Sequence, residues 1–320
     1  MTTQLPSPAS PLRIGTRGSP LALAQAHETR ARLMAAFDLP EDAFRIVVIK
    51  TTGDDAALIA RDRPLKEIGN KGLFTKEIEE QLSAGGIDIA VHSMKDMPTE
   101  QPRGLMLDCY LPREDVRDAF VSLTAGGLQD LPEGAVVGTS SLRRRAQLLN
   151  RFGHLRVVEF RGNVQTRMKK LGDGAVAATF LAMAGLNRLG MAEVAKTAIA
   201  PEDMLPAVAQ GAIGIERRSD DPDTAALLEA IHHGPTGQRL LAERAFLAAL
   251  DGSCETPIAA LAELDGATLR LRGEVLRPDG SERLCADRSG AISDGAALAQ
   301  DMARDLLEQA GPGFFEWRSH

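Results

Sequence analysis

The chain has 320 residues, 44% of them hydrophobic and 25% charged, which is enough for two or three packed domains and too balanced for a disordered one. Lysine and arginine number 37 against 44 acids, a net charge of -7, so a general polyanion binder is excluded unless positive charge is concentrated somewhere. Cys109, Cys254 and Cys285 lie far apart with no CxxC spacing, which argues against a disulfide or zinc framework and for a reducing cytoplasm.

Residues 1–11 carry no basic residue and no apolar run, so they read as a flexible tail and not as a targeting segment. No stretch approaches the roughly 20 apolar residues of a membrane span, so no membrane partner is expected. From Leu12 short apolar runs alternate with longer helical stretches, the pattern of an α/β fold. A strand is expected over Arg13 to Thr16, then a helix opened by Ser19-Pro20, then a strand near Arg45 to Lys50. The polar stretch from Thr51 to Gly72 is long for a connection and reads as a lid or a disordered segment. A helix over Thr75 to Ala84 leads into a strand over Ile87 to His92, and the tetrad Ser93-Met94-Lys95-Asp96 follows at its carboxyl end, where ligands sit in open α/β sheets.

The charged stretch from Leu111 to Asp118 reads as a hinge into a second α/β unit. Strands are expected there over Val136 to Gly138, Val157 to Phe160 and Ala175 to Ala178, with helices beginning near Ser141, Asn163 and Leu181. The apolar run from Ala207 to Ile215 can return to the first sheet. Beyond it come a helix over Gly237 to Leu250, strands near Ile258, Leu269 and Leu284, and a helix over Gly295 to Gln309, a small α+β domain. The expected division is a tail over 1–11, domain 1 over 12–112 with 208–232, domain 2 over 113–207 and domain 3 over 233–320. No Walker or GxGxxG spacing supports a nucleotide cofactor.

Between Thr139 and Lys170 nine lysines and arginines face a single acid, Glu159. Arg143 and Arg144 fall in the first turn of an expected helix, where cations oppose the helix dipole unless an anion compensates. Arg161 stands before a second helix start at Gly162-Asn163. Arginine forks suit carboxylates and phosphates, so the island describes a pocket for a polyanionic small molecule. Aromatic residues total 4%, which leaves little for stacking bases and disfavours a nucleic-acid partner. His232-His233 has no partner at metal spacing, so no metal is expected. His92, at the end of a buried strand, reads as a hydrogen-bonded structural residue.

Eight strings in matching order, from about Leu12 to Leu307, carry a resemblance: Arg13-Ile-Gly-Thr-Arg-Gly-Ser-Pro-Leu-Ala, Lys71-Gly-Leu-Phe-Thr-Lys-Glu, His92-Ser-Met-Lys-Asp-Met-Pro, Gly138-Thr-Ser-Ser-Leu-Arg-Arg, Arg161-Gly-Asn-Val-Gln-Thr-Arg, Ala184-Gly-Leu-Asn-Arg-Leu-Gly, Gln210-Gly-Ala-Ile-Gly-Ile-Glu and Gly252-Ser-Cys-Glu-Thr-Pro-Ile. Together they resemble the porphobilinogen deaminase family, also called hydroxymethylbilane synthase. The resemblance implies two hinged, periplasmic-binding-protein-like α/β domains plus a small C-terminal α+β domain, acting as a cytoplasmic monomer. It implies a transferase that joins four porphobilinogen molecules head to tail, releases ammonia, and hydrolyses the product off as hydroxymethylbilane. The implied cofactor is a dipyrromethane held by a thioether to Cys254, while Cys109 and Cys285 keep the reading of small buried hydrophobes. Asp96 matches the catalytic aspartate, with Lys95 beside it for substrate carboxylates. Arg17, Ser19, Ser93, Ser141, Arg143, Arg144, Arg161, Arg167 and Arg188 match cofactor- and substrate-binding positions, with Gln210 and Gly211 at the domain crossing. Lys71 and Phe74 match the end of the family's active-site loop, and Glu67 stands where the family pattern has lysine. Arg145, Arg151 and Arg156 fall outside the matched positions and read as surface residues. An anion-binding receptor of the periplasmic type is the alternative from another class. Such a receptor would normally carry a signal segment and would have no need of Cys254, and both points count against it.

Overall fold

A computed structural model describes residues 5–52, 75–250, 256–311 and 313–316. The segment expected as a lid falls almost wholly outside these residues, as do Lys71, Phe74 and Cys254. The expected tail is folded back from residue 5: Ser7 and Ser10 exchange backbone hydrogen bonds of 3.1 and 2.9 Å, and Pro6 is buried.

In chain order the elements are β1 (Leu12–Thr16), α1 (Pro20–Phe37), β2 (Phe44–Val48), α2 (Lys76–Ser83), β3 (Ile89–Ser93), β4 (Leu105–Tyr110), β5 (Asp118–Ser122), β6 (Val136–Gly138), α3 (Leu142–Arg151), β7 (Arg156–Val158), α4 (Val164–Gly172), β8 (Ala178–Ala182), α5 (Met183–Arg188), β9 (Thr197–Ala198), β10 (Ile213–Arg218), α6 (Pro222–Glu229), α7 (Gly234–Ala249), β11 (Ile258–Asp265), β12 (Thr268–Leu276), β13 (Arg283–Ala291) and α8 (Gly295–Gln309). The helix starts follow local chemistry. Ser19 accepts from the Ala22 amide at 3.3 Å with Pro20 in the first turn, and Asn163 accepts from the Thr166 amide at 2.9 Å. β8 starts three residues later than expected, because the Ala175 amide bonds Lys170 O and Gly174 takes a positive φ of 76°, so this stretch completes the exit from α4. β4, β5, β9 and α6 are additions. β5 replaces the last residue of the expected hinge and is buried along its whole length.

The described chain forms two compact units. The first comprises 5–52, 75–114 and 211–237, and the second 115–210, 238–250, 256–311 and 313–316. In the first, the sheet runs β2-β1-β3-β10-β4, with β1, β2 and β3 parallel and β10 antiparallel to both its neighbours. Its core joins Leu12, Ile14, Leu33, Val91, Ile213 and Leu228. In the second, the sheet β7-β6-β8-β5-β9 has the same plan: β6, β7 and β8 parallel, and β5 antiparallel to its neighbours. Each sheet thus carries one strand reversed against both its neighbours, β10 in the first and β5 in the second.

The second unit also holds an antiparallel sheet, β11-β12-β13, with α8 packed on it. Leu205, Val116, Ala259 and Leu261 form a shared apolar contact between this part and the Arg-rich part. Arg151, expected at the surface, instead donates at 3.0 Å to Glu274, which is 1% exposed and also accepts from Arg283 at 2.7 Å. The buried carboxylate makes Arg151 part of the packing. Cys285 also departs from expectation, since β13 is an edge strand and the thiol is exposed.

Candidate active site

In the first unit the carboxyl ends of β1 and β3 and the start of α1 enclose a depression lined by Arg17, Ser19, Gln25, Thr75, Val91, His92, Ser93, Asp96 and Met97, among others. Strand β3 delivers Ser93 and then turns through a single 3₁₀ turn, Met94–Asp96, which puts Asp96 at the rim, exposed, beside half-buried Lys95. The turn is pinned by two backbone bonds, from the Met94 amide to Ala212 O at 3.0 Å and from the Met97 amide to Met94 O at 3.2 Å. Ser19 spends an acceptor lone pair on the α1 cap, which leaves its hydroxyl proton for an anion. Ser93 Oγ lies 2.8 Å from Gln25 Nε2 and 3.0 Å from its Oε1. Gln25 was not among the expected site residues. The only sequence signal for it is its place six residues beyond the Ser19 cap, on the helix face toward β3.

Beneath this depression His92 Nε2 lies 3.1 Å from Glu216 Oε2, and both side chains are buried. That agrees with the structural reading of His92. Glu79 on α2 belongs to the same cluster: burial and then the Glu216 charge raise its carboxyl above the ordinary range, against a hydrogen bond from Thr75.

In the second unit the arginine island resolves into two groups. Arg143 donates to Asp118 Oδ2 at 2.7 Å and to Leu205 O at 2.8 Å; Arg144 donates to Asp118 Oδ1 at 2.7 Å and to Phe180 O at 3.0 Å. Gln210 Nε2 donates to the same Asp118 Oδ1 at 2.9 Å and to Val116 O at 2.8 Å. Asp118 is fully buried; the two guanidiniums overcome that burial and hold its carboxyl well below the usual range. The anion that compensates the cations in the first turn of α3 is therefore the chain's own Asp118, 25 residues upstream of Arg143. Ser141 caps the same helix, accepting from the Arg144 amide at 3.4 Å.

The other group is short of negative charge. Arg167 donates to Gly162 O at 2.9 Å and shares Phe180 O with Arg144 at 3.3 Å. Burial, and then the charge of Arg144, push Arg167 down to about 10, with Glu159 opposing and Arg161 adding to the effect. The Nε atoms of Arg143, Arg144 and Arg161 are buried without a hydrogen-bond acceptor among the described residues. Crowded, desolvated guanidiniums with donors to spare fit a ligand bearing several carboxylates. Arg188 ends α5, half-buried. Gln210 is buried, and Gly211 takes a φ of 88° at the passage from the second unit back to the first, a conformation that favours glycine. Among the described residues no group of three or more His, Cys, Asp or Glu is placed to hold a metal, and no helix is long and apolar enough to cross a membrane.

Comparison with known proteins gives consistent names. The family description "Porphobilinogen deaminase, dipyromethane cofactor binding domain" matches residues 12–226, and "Porphobilinogen deaminase, C-terminal domain" matches residues 238–308. The chain is 67% identical over 315 residues to a porphobilinogen deaminase of Paracoccus denitrificans, covering 98% of this chain and 99% of that one. It is 55% identical to the chloroplastic porphobilinogen deaminase of Pisum sativum, covering 95% of this chain and 83% of that one. Among solved structures, the methionine-binding protein MetQ is similar at 14% identity with a TM-score of 0.42, covering 71% of this chain and 89% of that one, too distant to bear on function.

Proposed function

The chain belongs to the porphobilinogen deaminase family, and on that premise we propose how its residues divide the work. The reaction polymerises four porphobilinogen molecules head to tail, with loss of ammonia, to the linear tetrapyrrole hydroxymethylbilane, on a dipyrromethane primer. When bound, the dipyrromethane supplies the free pyrrole α-carbon to which the first unit is added.

Loss of ammonia from the substrate's aminomethyl arm draws on the pyrrole nitrogen's lone pair and leaves positive charge there. In this proposal Asp96 stabilises that charge through the pyrrole N–H and accepts the proton released when the new carbon–carbon bond forms. Arg17, Ser19, Ser93 and Lys95 hold the substrate's acetate and propionate in the depression. Arg144, Arg161, Arg167, Arg188 and Ser141 hold the carboxylates of the dipyrromethane and the growing chain. Arg143 and Gln210 act through Asp118, and Gly211 provides the backbone turn at the crossing. Lys71 and Phe74 contribute from the loop, and Cys254 carries the thioether. The observation that supports the set best is the crowding of buried Arg167 by the charges of Arg144 and Arg161, with Glu159 opposing them and Arg161 Nε buried without an acceptor among the described residues.

Three working parts complete the proposal, with borders at 12–112 plus 208–232, 113–207 and 233–320, in a cytoplasmic monomer. The free state of the Cys109 and Cys285 thiols is compatible with that compartment. The test is intact mass with turnover. The purified protein carries an excess equal to two pyrrole units, lost in Cys254→Ser, and Asp96→Asn keeps the excess while nearly abolishing turnover. An unmodified mass in active protein, or near-parental rates in Asp96→Asn, refutes the assignment.

A further inference from the structure

Strand β10 and the residue before it, Ala212, support the end of β3 and the turn that carries Asp96 at three places. The first is the bond from the Met94 amide to Ala212 O. The second is Gly214, which lies opposite His92 in the antiparallel register; a Cβ there would collide with Met94 Sδ, so the Met94 side chain seats on bare backbone. The third is Glu216, two residues further on the same face, bonded to His92 Nε2 at 3.1 Å.

Glu216 is unusual as a structural residue. It is fully buried, and its Oε1 has no hydrogen-bond partner among the described residues. A glutamine or an apolar residue would fill this space without an unsatisfied charged oxygen, so stability alone does not account for a carboxylate here. On β3 the register is unbroken, with Gly214 opposite His92 and Glu216 opposite Ala90, while the irregularity in the pairing with β4 leaves the extra residue, Asp108, on β4. The charged groups around His92 are Glu216 from β10, Glu79 from α2, Lys95 and Asp96 from its own strand's continuation, and Arg17 from the end of β1.

We propose that Glu216 is a positioning residue for the reaction: through His92 it locks the end of β3 and thereby the turn that presents Asp96. The inference rests on the assignment of Asp96 given above. Glu216 does not touch substrate; its effect is on the placement of a carboxylate that does.

The test is steady-state kinetics on the cofactor-loaded protein, with cofactor content checked by intact mass. Glu216→Gln lowers kcat about tenfold or more and leaves KM within about twofold, because binding groups stay in place while the reacting carboxylate is displaced. His92→Ala gives the same loss, and His92→Gln, whose amide still reaches Glu216, recovers most of it. The double variant Glu216→Gln with His92→Ala is no worse than the weaker single variant, since both act on the one contact between 92 and 216. Parental kcat in Glu216→Gln or in His92→Ala overturns the proposal, as does a double variant whose losses multiply. If Glu216→Gln does not fold, the His92 pair decides alone: loss with alanine and recovery with glutamine supports it, and equal rates overturn it. Asp96→Asn separates the two layers: near-parental turnover there removes the Asp96 assignment itself, whereas a dead Asp96→Asn beside a fully active Glu216→Gln removes only the role of Glu216.

Discussion

Replacing Asp118 by asparagine removes one negative charge from a site that holds two guanidiniums and an amide. The parent carboxylate accepts 2.7 Å bonds from Arg143 and Arg144 and a 2.9 Å bond from Gln210. Asparagine keeps one acceptor oxygen and turns an N–H toward the remaining guanidinium, so at least one charged hydrogen bond becomes a donor–donor contact. Arg143 and Arg144 keep Leu205 O and Phe180 O, which limits the damage. Breaking a buried pair in this way costs about 3–5 kcal/mol. On a chain of 320 residues that lowers the melting midpoint by roughly 4–8 °C. The pH dependence has a definite sign: the folded carboxyl sits below its unfolded value of about 3.9, so its contribution is complete above that pH and fades as pH falls toward the folded value. The gap between parent and Asp118→Asn in urea titrations is therefore largest near neutral pH and narrows below about pH 4. A destabilisation under about 1 kcal/mol at neutral pH, or a gap that widens on acidification, refutes the assignment of Asp118 as the counter-ion.

Three further outcomes are expected. Burial, with Asp108 adding to it, pushes the Cys109 thiol up to about 12, so in native protein at pH 8 a thiol reagent labels Cys285 and leaves Cys109 until denaturant is added; peptide mapping that finds Cys109 labelled first contradicts this. Gly280→Ala forces a φ of 73° on alanine and brings its Cβ to 2.6 Å from the Asn150 amide nitrogen, a loss of about 1–3 kcal/mol in urea unfolding, against a neutral result if that turn simply shifts. Glu243 accepts from the Ala209 amide at 2.7 Å and the Ala262 amide at 2.8 Å, so Glu243→Gln sets a donor against one of those amides and loses about 1–3 kcal/mol by the same measurement, while an unchanged midpoint excludes the double bond.

What could be read from the chain itself was mostly local. Ser19-Pro20, Ser141 and Asn163 announce three helices because capping depends on neighbours three residues away, and α8 begins and ends where its pattern says. The arginine island was legible as an excess of charge, but its partition was not: the acid that neutralises Arg143 and Arg144 lies outside any local window, in a stretch that reads as a charged hinge. Glu216 was hidden for the same reason, since its partner His92 is 124 residues away and only the antiparallel register of β10 on β3 brings them together. Cys285 misled because an alternating run looks buried whether its strand is central or at an edge.

The reversed strands of the two sheets have a consequence for biosynthesis. β10 occupies the slot between β3 and β4, yet it is made only after the whole Arg-rich segment from 115 to 210 has been synthesised. A nascent chain of the first 110 residues therefore exposes β3 and β4 with no strand to bridge them, and the Asp96 turn has no floor beneath it. The second sheet suffers no such delay, because its reversed strand, β5, precedes its other members. The order of emergence from the ribosome thus lets the sheet of the arginine-bearing unit complete without a later segment, and leaves the Asp96-bearing sheet waiting for β10.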